Sequence, residues 1–145
     1  MSLTNYLGCN FTLPISDEVS DDLIIIGENF SSKYDRENVG KHMTTKYIYE
    51  VANANWVGFS LYKEDKQNSP HNYKKEQQYL KALLEILDRH LERGDYCELY
   101  TCWVGEESEE RNKELDQTIN ISMFDMDDIE IAEKTLLTIK KKFFN

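Results

Sequence analysis

"YKKEQQYLKALLEILDRHLERGDYCELYTCWVG" (Tyr73–Gly105) changes its hydrophobic period part-way along, and that change decides the fold class. From Tyr73 to Glu92, Leu80, Leu84, Leu87 and Leu91 recur at helical spacing, and Leu83 and Ile86 widen the stripe. Lys, Glu and Arg fill the opposite side. Arg89 and Arg93 suit the negative end of the helix dipole, and Gly94 supplies a stop. The chain then alternates with period two. Tyr96, Glu98, Tyr100, Cys102 and Val104 point one way, and Cys97, Leu99, Thr101 and Trp103 point the other.

Working outward, "YLGCNFTLPI" reads as a strand up to Pro14, "SDEVSDD" as a polar turn and "LIIIGENF" (Leu23–Phe30) as a buried strand. "SSKYDRENVGKH" reads as a loop or a single turn. "TTKYIYEV" and "WVGFSLYK" both alternate, with Tyr47, Tyr49 and Val51 on one face of the first run and Val57, Phe59 and Leu61 on one face of the second. They flank "ANAN", so an antiparallel hairpin is expected. "EDKQNSPHN" reads as a loop ending at Pro70. "QTINISMF" is expected to pair with the Tyr96–Val104 strand, joined to it across Glu106–Asp116 by a long loop or a short helix. The final stretch favours a strand near Thr135–Lys142, with a terminal helix as the alternative. Strands on both sides of one long helix indicate an α+β fold, a mostly antiparallel sheet packed against that helix. No repeat or linker divides the chain, so 1–145 is expected to be a single domain.

The formal charge of −10 argues against binding nucleic acid and favours either plain solubility or a basic protein partner. Cys9, Cys97 and Cys102 are odd in number and lack metal-finger spacing, so reduced structural thiols are expected. The first residues show no basic region followed by an apolar one, and no apolar run is long enough to span a bilayer. A cytoplasmic, soluble protein is the expectation.

Chemistry is sparsely signposted. The six glycines form no phosphate-binding loop, and no G-x-S-x-G elbow occurs. His42, His71 and His90 are too far apart for a helical metal pair. A Cys102–His42 pair is conceivable in three dimensions, against a buried thiol and a surface imidazole. "FDMDDIE" (Phe124–Glu130) lacks the glycine and the frame of a calcium loop and reads as an acidic turn. The expectation is a protein with no catalytic residues, no metal and no cofactor.

What remains is the acidic run behind Trp103. Between Glu106 and Glu130 only Arg111 and Lys113 are basic. Tyr100 and Trp103 beside Glu106, Glu107, Glu109 and Glu110 have the composition of a protein-binding hot spot. The bland reading is a core tryptophan followed by solvated glutamates. "YLGCNFTLP", "KYIYEV" and "GDYCELYTCWVGEE" resemble small, acidic cytoplasmic proteins of Gram-positive bacteria. These are similar in size and character to the immunity proteins of polymorphic-toxin systems. The likeness touches the first third and the middle of the chain. It implies a tight, non-catalytic binder of a toxin, often a basic nuclease, with Glu106, Glu107, Glu109 and Glu110 standing in for phosphates. The alternatives are a small-molecule-binding domain or small enzyme with a helix–sheet pocket lined by Tyr47, Tyr49, Phe59 or Tyr100, and a homodimer that pairs strand edges.

Overall fold

The computed structural model describes residues 2–17 and 22–144. The polar turn expected over 16–22 therefore lies partly outside the described residues. Six strands form one sheet: β1 (Leu3–Cys9), β2 (Ile24–Gly27), β3 (Tyr47–Asn53), β4 (Tyr96–Trp103), β5 (Gln117–Asn120) and β6 (Thr135–Lys140). Their order is β2-β3-β1-β4-β6-β5, and every pairing is antiparallel except β5 with β6. The helices are α1 (Lys33–Val39), α2 (Asp65–Asn68) and α3 (Pro70–His90). The α+β class expected from the sequence is what the chain adopts. No helix among the described residues is long and apolar enough to cross a membrane.

The leucine stripe does what its spacing demands. Tyr73, Tyr79, Leu80, Leu83, Leu84 and Leu87 of α3 are buried against Leu7, Ile24, Ile26, Tyr49, Val51, Leu99, Leu137 and Ile139 of the sheet. Each fully buried leucine contributes about 1.5–3 kcal/mol, so this face is the main source of stability. α3 begins one turn before the expected Tyr73, because Pro70 suits the first helical position, where no N–H is needed. It ends at His90, and Gly94, at φ 95°, makes the turn into β4 rather than capping the helix.

Three local expectations are corrected. "SSKYDRENVGKH" is α1 followed by a 3-10 turn (Gly40–His42), started by Ser32, whose hydroxyl accepts the Asp35 N–H at 3.1 Å. The second arm of the expected hairpin meets β3 at Asn53, whose N–H donates to the Val57 carbonyl (2.8 Å), and forms no ladder with it, because β2 and β1 occupy both edges of β3. Of the face expected in that arm, Phe59 and Leu61 are buried but Val57 is exposed, and the segment's partners lie elsewhere. Asn5 of β1 takes the Phe59 N–H (2.7 Å) and donates to the Phe59 carbonyl (3.0 Å), and Leu61 bridges to Ile131. Lastly, β5 pairs with β6, which intervenes between it and β4.

Cys97 and Cys102 lie on opposite faces of β4, as their spacing requires, and all three cysteines are free and buried. The acidic turn over 125–128 is a 3-10 turn capped by Asp125.

Candidate functional site

The sheet face away from α3 carries the polar chemistry. On it, Tyr6 of β1 stands opposite Glu50 of β3 on one side and Tyr100 of β4 on the other. α1, the 3-10 turn and the loop after β4 close over this face, with a second small core of Tyr6, Val39, Tyr100, Cys102 and Leu136.

The acidic run folds back onto this face, and its members separate. Glu107 is buried, accepting the Tyr6 hydroxyl at 2.6 Å and the Gly105 N–H at 2.8 Å. Its carbonyl lies 3.0 Å from His42 Nε2, and the His42 ring stacks on Tyr100 with centroids 4.2 Å apart. Burial and the hydrogen bond to Glu107 push the Tyr6 hydroxyl far above its ordinary range, and burial does the same to Tyr100. Burial depresses His42, outweighing its contact with the Glu107 carbonyl. Tyr100 and Glu107 are thus interior groups, which corrects the expectation that they form part of a contact surface. Trp103 is half-buried, its indole N–H donating to Glu133. Glu106 is half-buried, Glu109 pairs with Lys134 at 3.3 Å, and Glu110 is exposed. The members of the run that keep solvent-facing surface are Glu106, Glu109 and Glu110.

Burial pushes the Cys102 thiol up to about 12, the reverse of an activated thiolate, and His42 already contacts the Glu107 carbonyl. No group of three or more His, Cys, Asp or Glu that could hold a metal occurs among the described residues. Tyr100 lies on the opposite face from Tyr47, Tyr49 and Phe59, so these four cannot line one pocket.

The sequence reading missed the concave part of this region. Phe30, Ser31, Glu50, Trp56, Val57 and Val104 border a cavity of about 260 Å³. Phe30 and Trp56 meet edge to face at 5.2 Å and remain 41% and 50% exposed. A Cβ on Gly27 would come within 2.3 Å of the Phe30 ring, so the glycine leaves the room in which that ring lies over β2. Trp56 has φ 63°, a left-handed conformation that costs a bulky residue about 1–3 kcal/mol. The Asn53 side chain holds it there by accepting the N–H groups of Asn55 (2.9 Å) and Val57 (3.2 Å).

Glu50, fully buried, borders the same cavity. One carboxylate oxygen accepts the Ser31 N–H at 2.7 Å. The other lies 3.6 Å from the Arg36 guanidinium, beyond hydrogen-bonding distance, and has no hydrogen-bond partner. Burial raises the Glu50 carboxyl above its usual range despite the Ser31 and Arg36 contacts. Two clues to this site are visible in the sequence: a glutamate interrupting the apolar strand "KYIYEV", and a tryptophan set in the polar turn after "ANAN". Val104 closes the rim of the cavity, and the acidic run leaves directly from it. No protein-family model, curated protein or solved structure matches this chain.

Proposed function

We propose that this chain is a non-catalytic binding protein that neutralises a basic protein partner, in the manner of a toxin-immunity protein. The observation that carries the reading is an exposed aromatic pair, Phe30 and Trp56, accommodated by Gly27 and by a left-handed backbone at Trp56, beside an acidic run. Aromatic anchors next to carboxylates are the composition of binding hot spots, and the strain at Trp56 is a cost that folding alone does not explain. The net charge of −10 adds long-range attraction for a basic surface. By this reading the anchors are Phe30 and Trp56 rather than Tyr100 and Trp103, and the steering charges are Glu106, Glu109 and Glu110.

The test is affinity capture from lysate of the source organism at low and high salt, followed by association kinetics with whatever basic protein is retained. Reversing Glu106, Glu109 and Glu110 to lysine lowers the association rate by about tenfold or more at low salt and flattens its salt dependence. Unchanged kinetics in that triple variant would refute the acidic-run reading.

A further inference from the structure

We infer that the cavity between Phe30, Trp56 and Glu50 receives one lysine side chain of the basic partner proposed above. Its ammonium would bond to Glu50 and Ser31, and its methylene stem would lie along the aromatic pair. The inference rests on the binding reading but names the group recognised.

Among the described residues bordering this cavity, two buried side-chain atoms lack a hydrogen bond of ordinary geometry, Glu50 Oε1 and Ser31 Oγ, although the Ser31 hydroxyl and the Arg36 guanidinium lie near enough to the Glu50 carboxylate to favour its charged form. Buried polar groups are nearly always satisfied, so two such atoms beside one cavity point to a donor that arrives from outside. Charge selects a cation. Glu50 and Glu107 are both buried on this face, each beside Tyr6, and among the described residues Arg36 is the one cation paired with either of them. Arg36 also donates to the Ser31 carbonyl at 2.6 Å, which holds it away from Glu50 Oε1. The local balance is negative, and an incoming positive charge restores it.

The geometry favours lysine over arginine. A guanidinium fork binds best to both oxygens of a carboxylate, but the second Glu50 oxygen is occupied by the Ser31 N–H. An ammonium carries three independent donors and can serve Glu50 Oε1 and Ser31 Oγ separately. The walls suit the rest of the side chain. Val57 and Val104 are apolar and exposed, and the faces of Phe30 and Trp56 attract a cation as well as a hydrocarbon stem. The volume of about 260 Å³ accommodates one long side chain and falls below the usual range for drug-sized ligands.

The probe is lysine capped at both backbone ends, so that the side-chain ammonium is its only charge. It is titrated into the nitrogen-15-labelled full chain. The indole N–H of Trp56 reports, and that of Trp103, which donates to Glu133, serves as the internal reference. The expected result is a saturable Trp56 shift with a dissociation constant on the order of 1 mM, weakened about tenfold or more by Glu50→Gln. Trp56→Gly, which keeps the turn because φ 63° suits glycine, loses the interaction with Phe30 and weakens binding as read from the Ser31 amide. No saturable shift, an equal shift from the Nε-acetylated form, or unchanged affinity in Glu50→Gln would each overturn the inference. Binding of capped lysine with no basic partner in lysate would leave the pocket standing and remove the partner reading. A captured partner with a silent Trp56 would do the opposite.

Discussion

Glu107 is the sharpest test of how the acidic run is used. A working surface glutamate and a structural one respond oppositely to removal. The Glu107 carboxylate accepts the Tyr6 hydroxyl at 2.6 Å and the Gly105 N–H at 2.8 Å, in a residue 1% exposed. Hydrogen bonds to a charged group contribute about 1.5–3 kcal/mol each, and an orphaned buried hydroxyl costs about 1–3 kcal/mol more. Allowing for relaxation and for water reaching the vacated space, Glu107→Ala destabilises the fold by about 3–5 kcal/mol. Tyr6→Phe leaves the carboxylate one bond short and costs about 2 kcal/mol. Because the two side chains share one bond, the double variant is less damaged than the sum, with a coupling of about 1.5–3 kcal/mol. Glu110→Ala, in contrast, stays within about 0.5 kcal/mol of the parent. Urea unfolding, read by tryptophan fluorescence and by circular dichroism with matched slopes, measures all four. Equal stability of Glu107→Ala and Glu110→Ala, or strict additivity of the Tyr6 and Glu107 changes, would refute the reasoning.

Asn5→Leu removes three hydrogen bonds, to the Phe59 N–H, the Phe59 carbonyl and the Thr101 hydroxyl. It is expected to cost about 3 kcal/mol and lower the melting temperature by roughly 10 °C, and a shift under about 2 °C would show that Asn5 does not anchor the 57–61 segment. Burial holds His42 below its ordinary value of 6.5, so the unfolded chain takes up a proton first as pH falls. Its contribution to stability is therefore complete above 6.5 and is lost as pH drops from there toward the folded value. His42→Phe keeps the stack on Tyr100 and is expected to shrink the fall in urea midpoint between pH 7 and pH 5. Equal falls in the two proteins would contradict the assignment.

Much of the fold was legible because it is written in local periodicity. The leucine stripe of α3 and the alternation of β4 each need only their own residues to declare themselves. α1 was also locally encoded, in Ser32 and Asp35, but the apolar content of that stretch is too thin to announce a helix. Pairing is another matter. Alternation in 57–61 says that one side is buried and nothing about which strand lies beside it, and here the Asn5 side chain and a few isolated backbone bonds take the place of a strand ladder. The candidate site was least legible of all. Glu107 differs from Glu109 and Glu110 only because Tyr6 waits 101 positions away to bind it. Glu50 gave a visible interruption in a strand, but its under-bonded oxygen is a property of Ser31 and Arg36 as placed by α1.

The central position of β1 has a kinetic consequence. β3 and β4 do not touch as neighbours; β1 lies between them and joins the two halves of the sheet. Its contacts are among the most distant in the chain, with Asn5 and Thr101 separated by 96 positions. Closing such loops carries its entropic cost before any contact rewards it, so assembly is expected on the slower, millisecond-to-second scale, well after α3 has formed. Until β1 is seated, β3 and β4 each present an unpaired edge. Insertion of β1 is therefore the step at which the same strand from a second copy can compete, with an advantage that grows as concentration rises.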